Sequence, residues 1–164
     1  MASPVISFQD YGFQYMAQSE PTLHHINLDI YPGEKVLIAG TSGSGKSTIG
    51  NCINGLIPFA YPGNKTGRLL VDGKVVEQSS IFELSHTVGT VLQDTDGQFI
   101  GLTVGEDIAF ALENDCVPQD EMKQTVDKSS GSAWQGLWWK RSRLCCLMNL
   151  WRIWTRQRAG PRLN

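Results

Sequence analysis

The sequence contains no uninterrupted apolar run of the length, about 18 residues, that a transmembrane helix needs. Its opening residues, MASPVISFQD, also lack the basic stretch followed by an apolar stretch that marks a secretory signal peptide. We therefore expect a cytoplasmic chain that reaches a membrane only through partner proteins. With 164 residues and 41% hydrophobic content, the chain is long enough for one domain with a sizeable core.

Cysteine is sparse over most of the chain. Cys52 and Cys116 lie far apart and have neither a CxxC partner nor a nearby cluster of histidines. This spacing argues against a zinc site and against a disulfide framework. We predict that both are reduced thiols in the core.

No acidic residue follows Asp127, and no tryptophan precedes Trp134. The body, residues 1–128, holds all 16 acidic residues and seven of the 14 lysines and arginines, whereas the tail, residues 129–164, holds the other seven. The body has no basic excess that could neutralise phosphates, so we expect no nucleic-acid partner. By composition alone, a basic and Trp-rich tail would instead suggest contact with a membrane surface or with single-stranded nucleic acid.

Hydrophobic patterning predicts a chain of mixed strands and helices. Thr103 and Glu106 fit a capping box that opens a helix, and a second helix is expected to start at Pro118. Asp72-Gly73 is a strong signal for a tight hairpin turn between two short strands. The other predictions are a strand over Val5–Tyr15, a half-buried strand through Ile26, Leu28 and Ile30, buried strands over Lys35–Ala39 and Thr87–Leu92, and a helix over Lys46–Asn54.

The segment GTSGSGKS matches the phosphate-binding pattern G-x-x-x-x-G-K-[ST] without a mismatch. Its glycines let successive N–H groups point inward at phosphates, and the following helix adds the positive end of its dipole. Lys46 would reach the β and γ phosphates of ATP, and the Ser47 hydroxyl would hold Mg²⁺. The predicted nucleotide-binding residues of this P-loop and the next position are Gly40, Ser42, Gly43, Ser44, Gly45, Lys46, Ser47 and Thr48.

The order and spacing of three segments resemble the nucleotide-binding subunits of ABC transporters. They are the opening Gly12–Tyr15, the turn Tyr31–Glu34 and the P-loop. The resemblance covers residues 5–127 and implies that Tyr15 stacks on adenine, although an aromatic packed in a strand is the alternative. It also implies an α/β fold, a P-loop NTPase core of ABC type with an antiparallel β subdomain, incomplete at its C-terminus.

A glutamine follows the predicted strand Thr87–Leu92. The segment VGTVLQDTDGQF resembles the family's Q-loop, in which Gln93 would complete the Mg²⁺ shell and orient the attacking water. A surface glutamine beside a turn is the alternative. Residues 97–114 resemble the energy-coupling-factor subgroup, whose members power uptake of vitamins and metal ions. The implied partners are a transmembrane transport component and a second ATP-binding subunit, which would hold the chain on the inner face of the cell membrane.

Three parts of the family's hydrolysis machinery are missing from this chain. They are the LSGGQ signature, a Walker B strand ending in Asp-Glu, and a switch histidine. Since phosphoryl transfer needs charge stabilisation and a positioned water, we expect little or no ATP turnover. Two alternatives stay open from the sequence: a nucleotide-binding module without catalysis, and another P-loop enzyme such as a small-molecule kinase.

The tail yields a familiar segment when its codons are read in another frame, taking the third base of each codon with the first two bases of the next. Met148-Asn149 must then give Glu, Trp154-Thr155 must give Asp, and Leu147-Met148 gives Asp when the leucine codon ends in G. The shifted frame permits L-F-D-E-P-L-A-N-L-D-P, which resembles the family's Walker B and D-loop. We therefore expect residues 129–164 to be an out-of-frame product that is not a native domain and adds no strand.

Overall fold

The structure is a computed structural model, which describes residues 3–91, 100–129, 144–147 and 152–155. The chain divides into two compact units, of which the first holds Met1–Val91 and Ser142–Asn164 and the second Leu92–Arg141. The strands are β1 (Ile6–Tyr15), β2 (Leu23–Ile30), β3 (Lys35–Leu37), β4 (Gly63–Val71), β5 (Lys74–Val75), β6 (Val88–Val91), β7 (Leu144–Leu147) and β8 (Arg152–Thr155). The α-helices are α1 (Lys46–Ile53), α2 (Leu56–Phe59), α3 (Ile81–Ser85), α4 (Val104–Asn114) and α5 (Gln119–Ser129).

The first sheet is antiparallel, with strand order β2-β1-β4-β5. Residues of β2 alternate between half-buried and exposed positions through its middle, as the period-2 pattern predicts. The predicted hairpin turn joins β4 to β5, and both turn residues adopt left-handed conformations, with φ of 49° at Asp72 and 78° at Gly73. This is the conformation that makes Asp-Gly favourable in a tight hairpin.

A bulge interrupts β1 between Phe8 and Tyr11 and shifts its register against β2. At the bulge Asp10 has φ of 49°, its backbone N–H donates to Asn27 Oδ1 at 2.9 Å, and its carboxylate lies 2.7 Å from His25 Nδ1. Gly67 crosses the bulge from β4 with φ of 70°, and a Cβ there would lie 2.2 Å from the Asp10 carbonyl oxygen. Only glycine therefore fits at this crossing.

Gly67→Ala is expected to destabilise the fold by about 3 kcal/mol, because it adds a steric overlap to a left-handed backbone. Gly73→Ala is the matched control, since Gly73 also has a positive φ but a Cβ there meets nothing within 4 Å. The control should cost about 1 kcal/mol. Urea unfolding followed by circular dichroism measures the free energy of unfolding of both variants. An equal decrease in the two variants would show that the bulge does not constrain residue 67.

The core of the first unit lies between this sheet and α1. Tyr11 and Cys52 are both buried there and share a hydrogen bond. Burial raises the pKa of the Cys52 thiol to about 12, although its hydrogen bond with Tyr11 lowers that pKa. Burial also raises the pKa of the Tyr11 hydroxyl well above its usual value, and the neighbouring Cys52 raises it further. Cys52 and Cys116 are free thiols, but the prediction of a core position is wrong for Cys116, which is exposed just after α4.

The second sheet has the order β3-β8-β7-β6. β3 is shorter and less buried than the predicted strand Lys35–Ala39, and Leu37 is 62% exposed. It lies at one edge of this sheet in the described part of the chain. The strand predicted over Thr87–Leu92 is confirmed as β6, with Val88 and Gly89 buried and the next two residues half-buried.

The tail contributes two strands to this sheet, so the prediction that it adds none is wrong. β7 pairs with β6 in parallel, and β8 pairs antiparallel with both β7 and β3. Leucine, isoleucine, threonine and tryptophan in LCCL and RIWT suit extended structure. The charge and tryptophan content of the tail give no sign of these short segments. As a consequence of the pairing, β3, β7 and β6 all run in one direction.

The second unit, in its described residues 100–129, contains α4 and α5. The predicted capping box is present: the Thr103 hydroxyl accepts from the Glu106 N–H, and the Glu106 carboxylate accepts from the Thr103 N–H. The helix predicted from Pro118 is α5, which begins at Gln119. No helix within the described part of the chain is long and apolar enough to cross a membrane.

Candidate functional site

The loop between β3 and α1 is built around two glycines in the left-handed region. Gly43 has φ of 81° and Gly45, the residue that caps α1, has φ of 85°. A Cβ on Gly45 would lie 2.9 Å from Leu23 Cδ2 and 3.1 Å from the Thr22 carbonyl oxygen, whereas at Gly43 it would meet open space. Gly45 therefore lets the loop pack against the start of β2, whereas the space beside Gly43 is open.

The Lys46 ammonium lies inside this loop. Its Nζ donates to the carbonyl oxygens of Gly40 at 3.0 Å and Thr41 at 2.5 Å, and to Ser44 Oγ at 3.4 Å. One side chain thus brings a positive charge to the centre of the loop. No acidic residue occupies the first turn of α1, so nothing in that turn opposes an anion at the helix N-terminus.

The next two residues of α1 differ in their surroundings. Ser47 is exposed in the first turn, where its hydroxyl is accessible to a ligand of the loop. Thr48 is 4% exposed, and its Oγ1 lies 3.2 Å from the hydroxyl of Tyr15. A hydroxyl beside bound phosphate suits Mg²⁺, which takes oxygen ligands from protein, phosphates and water. Ser47 fits that requirement.

Tyr15, at the end of β1, is brought to the P-loop helix by its bond to Thr48. Its half-buried ring makes edge-to-face contacts with Phe13, at a centroid distance of 4.9 Å, and with Tyr61, at 6.5 Å. An aromatic ring therefore lies against the first turn of α1, and its stacking on adenine stays a prediction. Tyr61 is not among the site residues predicted from the sequence, although its aromatic ring just before β4 is a signal for a base contact.

A cleft of about 580 Å³ opens between the P-loop and the turn that joins β1 to β2. The turn is tied by bonds from the Gln18 N–H to the Tyr15 carbonyl at 3.0 Å and from the Thr22 hydroxyl to Gln18 Oε1 at 2.6 Å. The sequence indicated a turn here but no part in the site. The cleft is lined by Ala17, Gln18, Ser19, Glu20, Pro21, Thr22, Gly43 and Ser44.

The structure thus brings together Tyr15 and the predicted P-loop residues, Ser42 and Thr48 included. Gln93 lies outside the described residues. No cluster of three or more histidine, cysteine, aspartate or glutamate side chains that could hold a metal ion occurs within the described ranges.

A comparison with known protein families shows to which family this chain belongs. The model of the family described as "ABC transporter" matches residues 23–144, about three quarters of the chain. The chain belongs to the ABC transporter family. Membership argues against the small-molecule kinase alternative, and it agrees with the α/β P-loop fold and the antiparallel β subdomain predicted from the sequence.

Curated relatives agree with this assignment. An ABC transporter ATP-binding protein of Lactiplantibacillus plantarum is 62% identical over 128 residues, which are 78% of this chain and 23% of that protein. One from Staphylococcus aureus strain COL is 62% identical over 126 residues, 77% of this chain and 22% of its own length. The chain therefore spans less than a quarter of the length of these relatives.

Similarity to a solved structure supports the same fold. The chain is similar to cbiO1 from Clostridium perfringens, described as part of the ABC transporter complex cbiONQ, with a TM-score of 0.64 and 30% identity. The similarity covers 77% of this chain and 49% of cbiO1. The match confirms the predicted resemblance to the energy-coupling-factor subgroup in the part of the chain that it covers.

Proposed function

We propose that the chain binds MgATP through its P-loop as the energising subunit of an ABC-type importer. The observation that carries this proposal is the open concave loop with the Lys46 ammonium at its centre. On binding, Lys46 would exchange its bonds to the Gly40 and Thr41 carbonyls for bonds to the β and γ phosphates. The N–H groups of the loop would hold the same phosphates, because the two left-handed glycines turn the backbone around them.

Three further contacts belong to this proposal. The Ser47 hydroxyl would hold Mg²⁺ together with phosphate oxygens, and Gln93 would complete its shell. Tyr15 would stack on the base, since its ring is anchored at Thr48 next to the loop. The ion supplies charge neutralisation for the triphosphate when it is bound.

Isothermal titration of the whole chain with MgATP tests binding. We expect one saturable site, and weaker binding when EDTA replaces Mg²⁺, because the ion shields the phosphates from one another. Circular dichroism before and after titration serves as the folding control. A folded chain that shows no saturable binding would overturn the proposal.

We also propose that this chain, as it stands, does not hydrolyse ATP. Neither a signature segment nor an Asp-Glu pair after a strand occurs in its sequence. A P-loop and a glutamine can bind and orient the nucleotide, but they leave the attacking water without a carboxylate partner. The chain would then act as a nucleotide-binding module.

The tail fits a change of reading frame after about Lys128. The curated relatives match over 126 and 128 residues, close to the length of the body. The shifted Asp-Glu pair comes from the codons of Leu147, Met148 and Asn149, directly at the end of β7. Because β3, β7 and β6 run in one direction, that pair would follow its strand at the edge where the P-loop follows β3. DNA sequencing across codons 125–164 tests this, and a confirmed reading frame with no insertion or deletion relative to full-length relatives would contradict it.

We propose further that a transmembrane component docks on the second unit and holds the chain at the inner face of the membrane. cbiO1 is part of a transporter complex, which makes a membrane partner the natural occupant. Leu102 is 97% exposed and Ile100 is 65% exposed. The backbone of this segment is held by hydrogen bonds: the N–H groups of Ile100 and Gly101 donate to the Asp107 carboxylate, and the Leu102 N–H donates to the Glu106 carboxylate. Adjacent exposed apolar side chains favour a contact surface when they form a continuous patch.

Leu102→Asp is expected to lower co-purification with the transmembrane component at least about 10-fold, because it places a charge in an apolar contact. The measurement is recovery from detergent-solubilised membranes after co-expression. Phe82→Asp, at a 64% exposed position of α3, is the control and should leave recovery unchanged. Equal recovery of both variants would place the contact elsewhere.

A further inference from the structure

A backbone hydrogen bond and the pairing of β1 with β4 place Tyr61 next to Tyr15. Its backbone N–H donates to the Leu56 carbonyl at 2.9 Å, which ends the turn of α2 just before β4 begins. Across β1 and β4, Tyr15 is paired with Gly63, where a Cβ would lie 2.5 Å from Phe13 Cζ. Because the directly opposite residue has no side chain, the aromatic residue two positions earlier can reach the ring of Tyr15.

The two tyrosines differ in how they are held. The ring of Tyr15 is fixed by Phe13 on one side and by the Thr48 hydroxyl at its tip. Tyr61 is 47% exposed. Its ring centroid lies 6.5 Å from that of Tyr15, and the two ring planes form an angle of 75°. Nearly half of Tyr61 is therefore accessible to a ligand beside Tyr15.

We propose that Tyr61 is a second wall of the base subsite, in which the nucleobase stacks on Tyr15 and Tyr61 contacts its edge. This inference rests on the proposed MgATP function. Since the two rings are nearly perpendicular, Tyr61 cannot lie parallel to a base stacked on Tyr15; it meets that base edge-to-face, a favoured aromatic arrangement. Tyr61 would therefore position the base.

The test compares two ligands, MgATP and inorganic tripolyphosphate with Mg²⁺, on the full chain. Tyr61→Ala should weaken MgATP about 3- to 10-fold, the range for one aromatic contact, and leave tripolyphosphate unchanged. Tyr61→Phe keeps the ring and should stay within about 2-fold of wild type for both ligands. Tyr61→Leu retains apolar volume without the ring and should behave like the alanine variant. Phe82→Ala removes an exposed aromatic from α3 and is the control.

The outcomes separate this inference from the function on which it rests. Equal loss of both ligands in Tyr61→Ala, or no loss of either, would overturn the role of Tyr61 while MgATP binding stands. A wild-type chain that is folded but binds neither ligand would overturn both. Selective loss of MgATP in the alanine and leucine variants alone supports the base subsite.

Discussion

Lys46→Ala is expected to weaken MgATP binding about 10- to 100-fold, the loss for one charged hydrogen-bonding group worth about 1.5–3 kcal/mol. The physical reason is that Lys46 brings an ammonium to the centre of the loop, bonded to the Gly40 and Thr41 carbonyls. Removing it leaves the N–H groups of the loop but takes away the cation that would pair with the γ phosphate. Titration with a fluorescent ATP analogue measures the change.

The matched control for this variant is Lys74→Ala. Lys74 is exposed in the hairpin after Gly73, so its loss changes the net charge without altering the loop. Its affinity should remain that of wild type. Equal affinity in wild type and Lys46→Ala, with both proteins folded, would show that the loop is not the phosphate site.

Restoring the reading frame and the missing signature segment is expected to produce the largest change in activity. The chain as it stands should release phosphate no faster than its Lys46→Ala variant, whereas the restored protein should turn over on the order of 1 per second. The restored frame returns the Asp-Glu pair at the end of β7, which supplies the carboxylate that the attacking water lacks. A coupled phosphate-release assay measures both proteins.

Stability should change with the same restoration. Leu37 is 62% exposed on β3, and since full burial of a leucine side chain is worth about 1.5–3 kcal/mol, covering Leu37 in the restored protein should add about 1–2 kcal/mol of stability. We expect higher soluble yield and a sharper melt from the restored protein. Turnover near 1 per second by the chain as given, or an equally sharp melt with its tail protected from protease, would contradict the frameshift account.

Local signals in the sequence predicted the parts of the fold that depend on a few neighbouring residues. The Asp72-Gly73 turn, the capping box at Thr103 and the P-loop helix are specified by adjacent backbone and side-chain bonds, so their positions followed from spacing. The same kind of signal was overlooked at α3, where Ser80 and Glu83 form a second capping box. That helix was predictable by the rule used for Thr103.

Other features depend on contacts between distant residues. The bulge at Asp10 exists because Gly67 crosses it and Asn27 binds its N–H, and neither contact can be deduced from the sequence around residue 10. The tail strands likewise depend on pairing with β6 and β3. In the site, the contact of Tyr61 with Tyr15 required the register of β1 against β4.

Hydrogen–deuterium exchange of the full chain, with and without MgATP, tests the central claim most directly, because it reports where the ligand protects the backbone. The account predicts strong protection of peptides covering Gly40–Thr48, and a smaller effect around Tyr15. The hairpin at Asp72-Gly73 is the internal reference and should not change. Saturating MgATP that leaves Gly40–Thr48 unprotected, or that protects a different segment instead, would contradict the account.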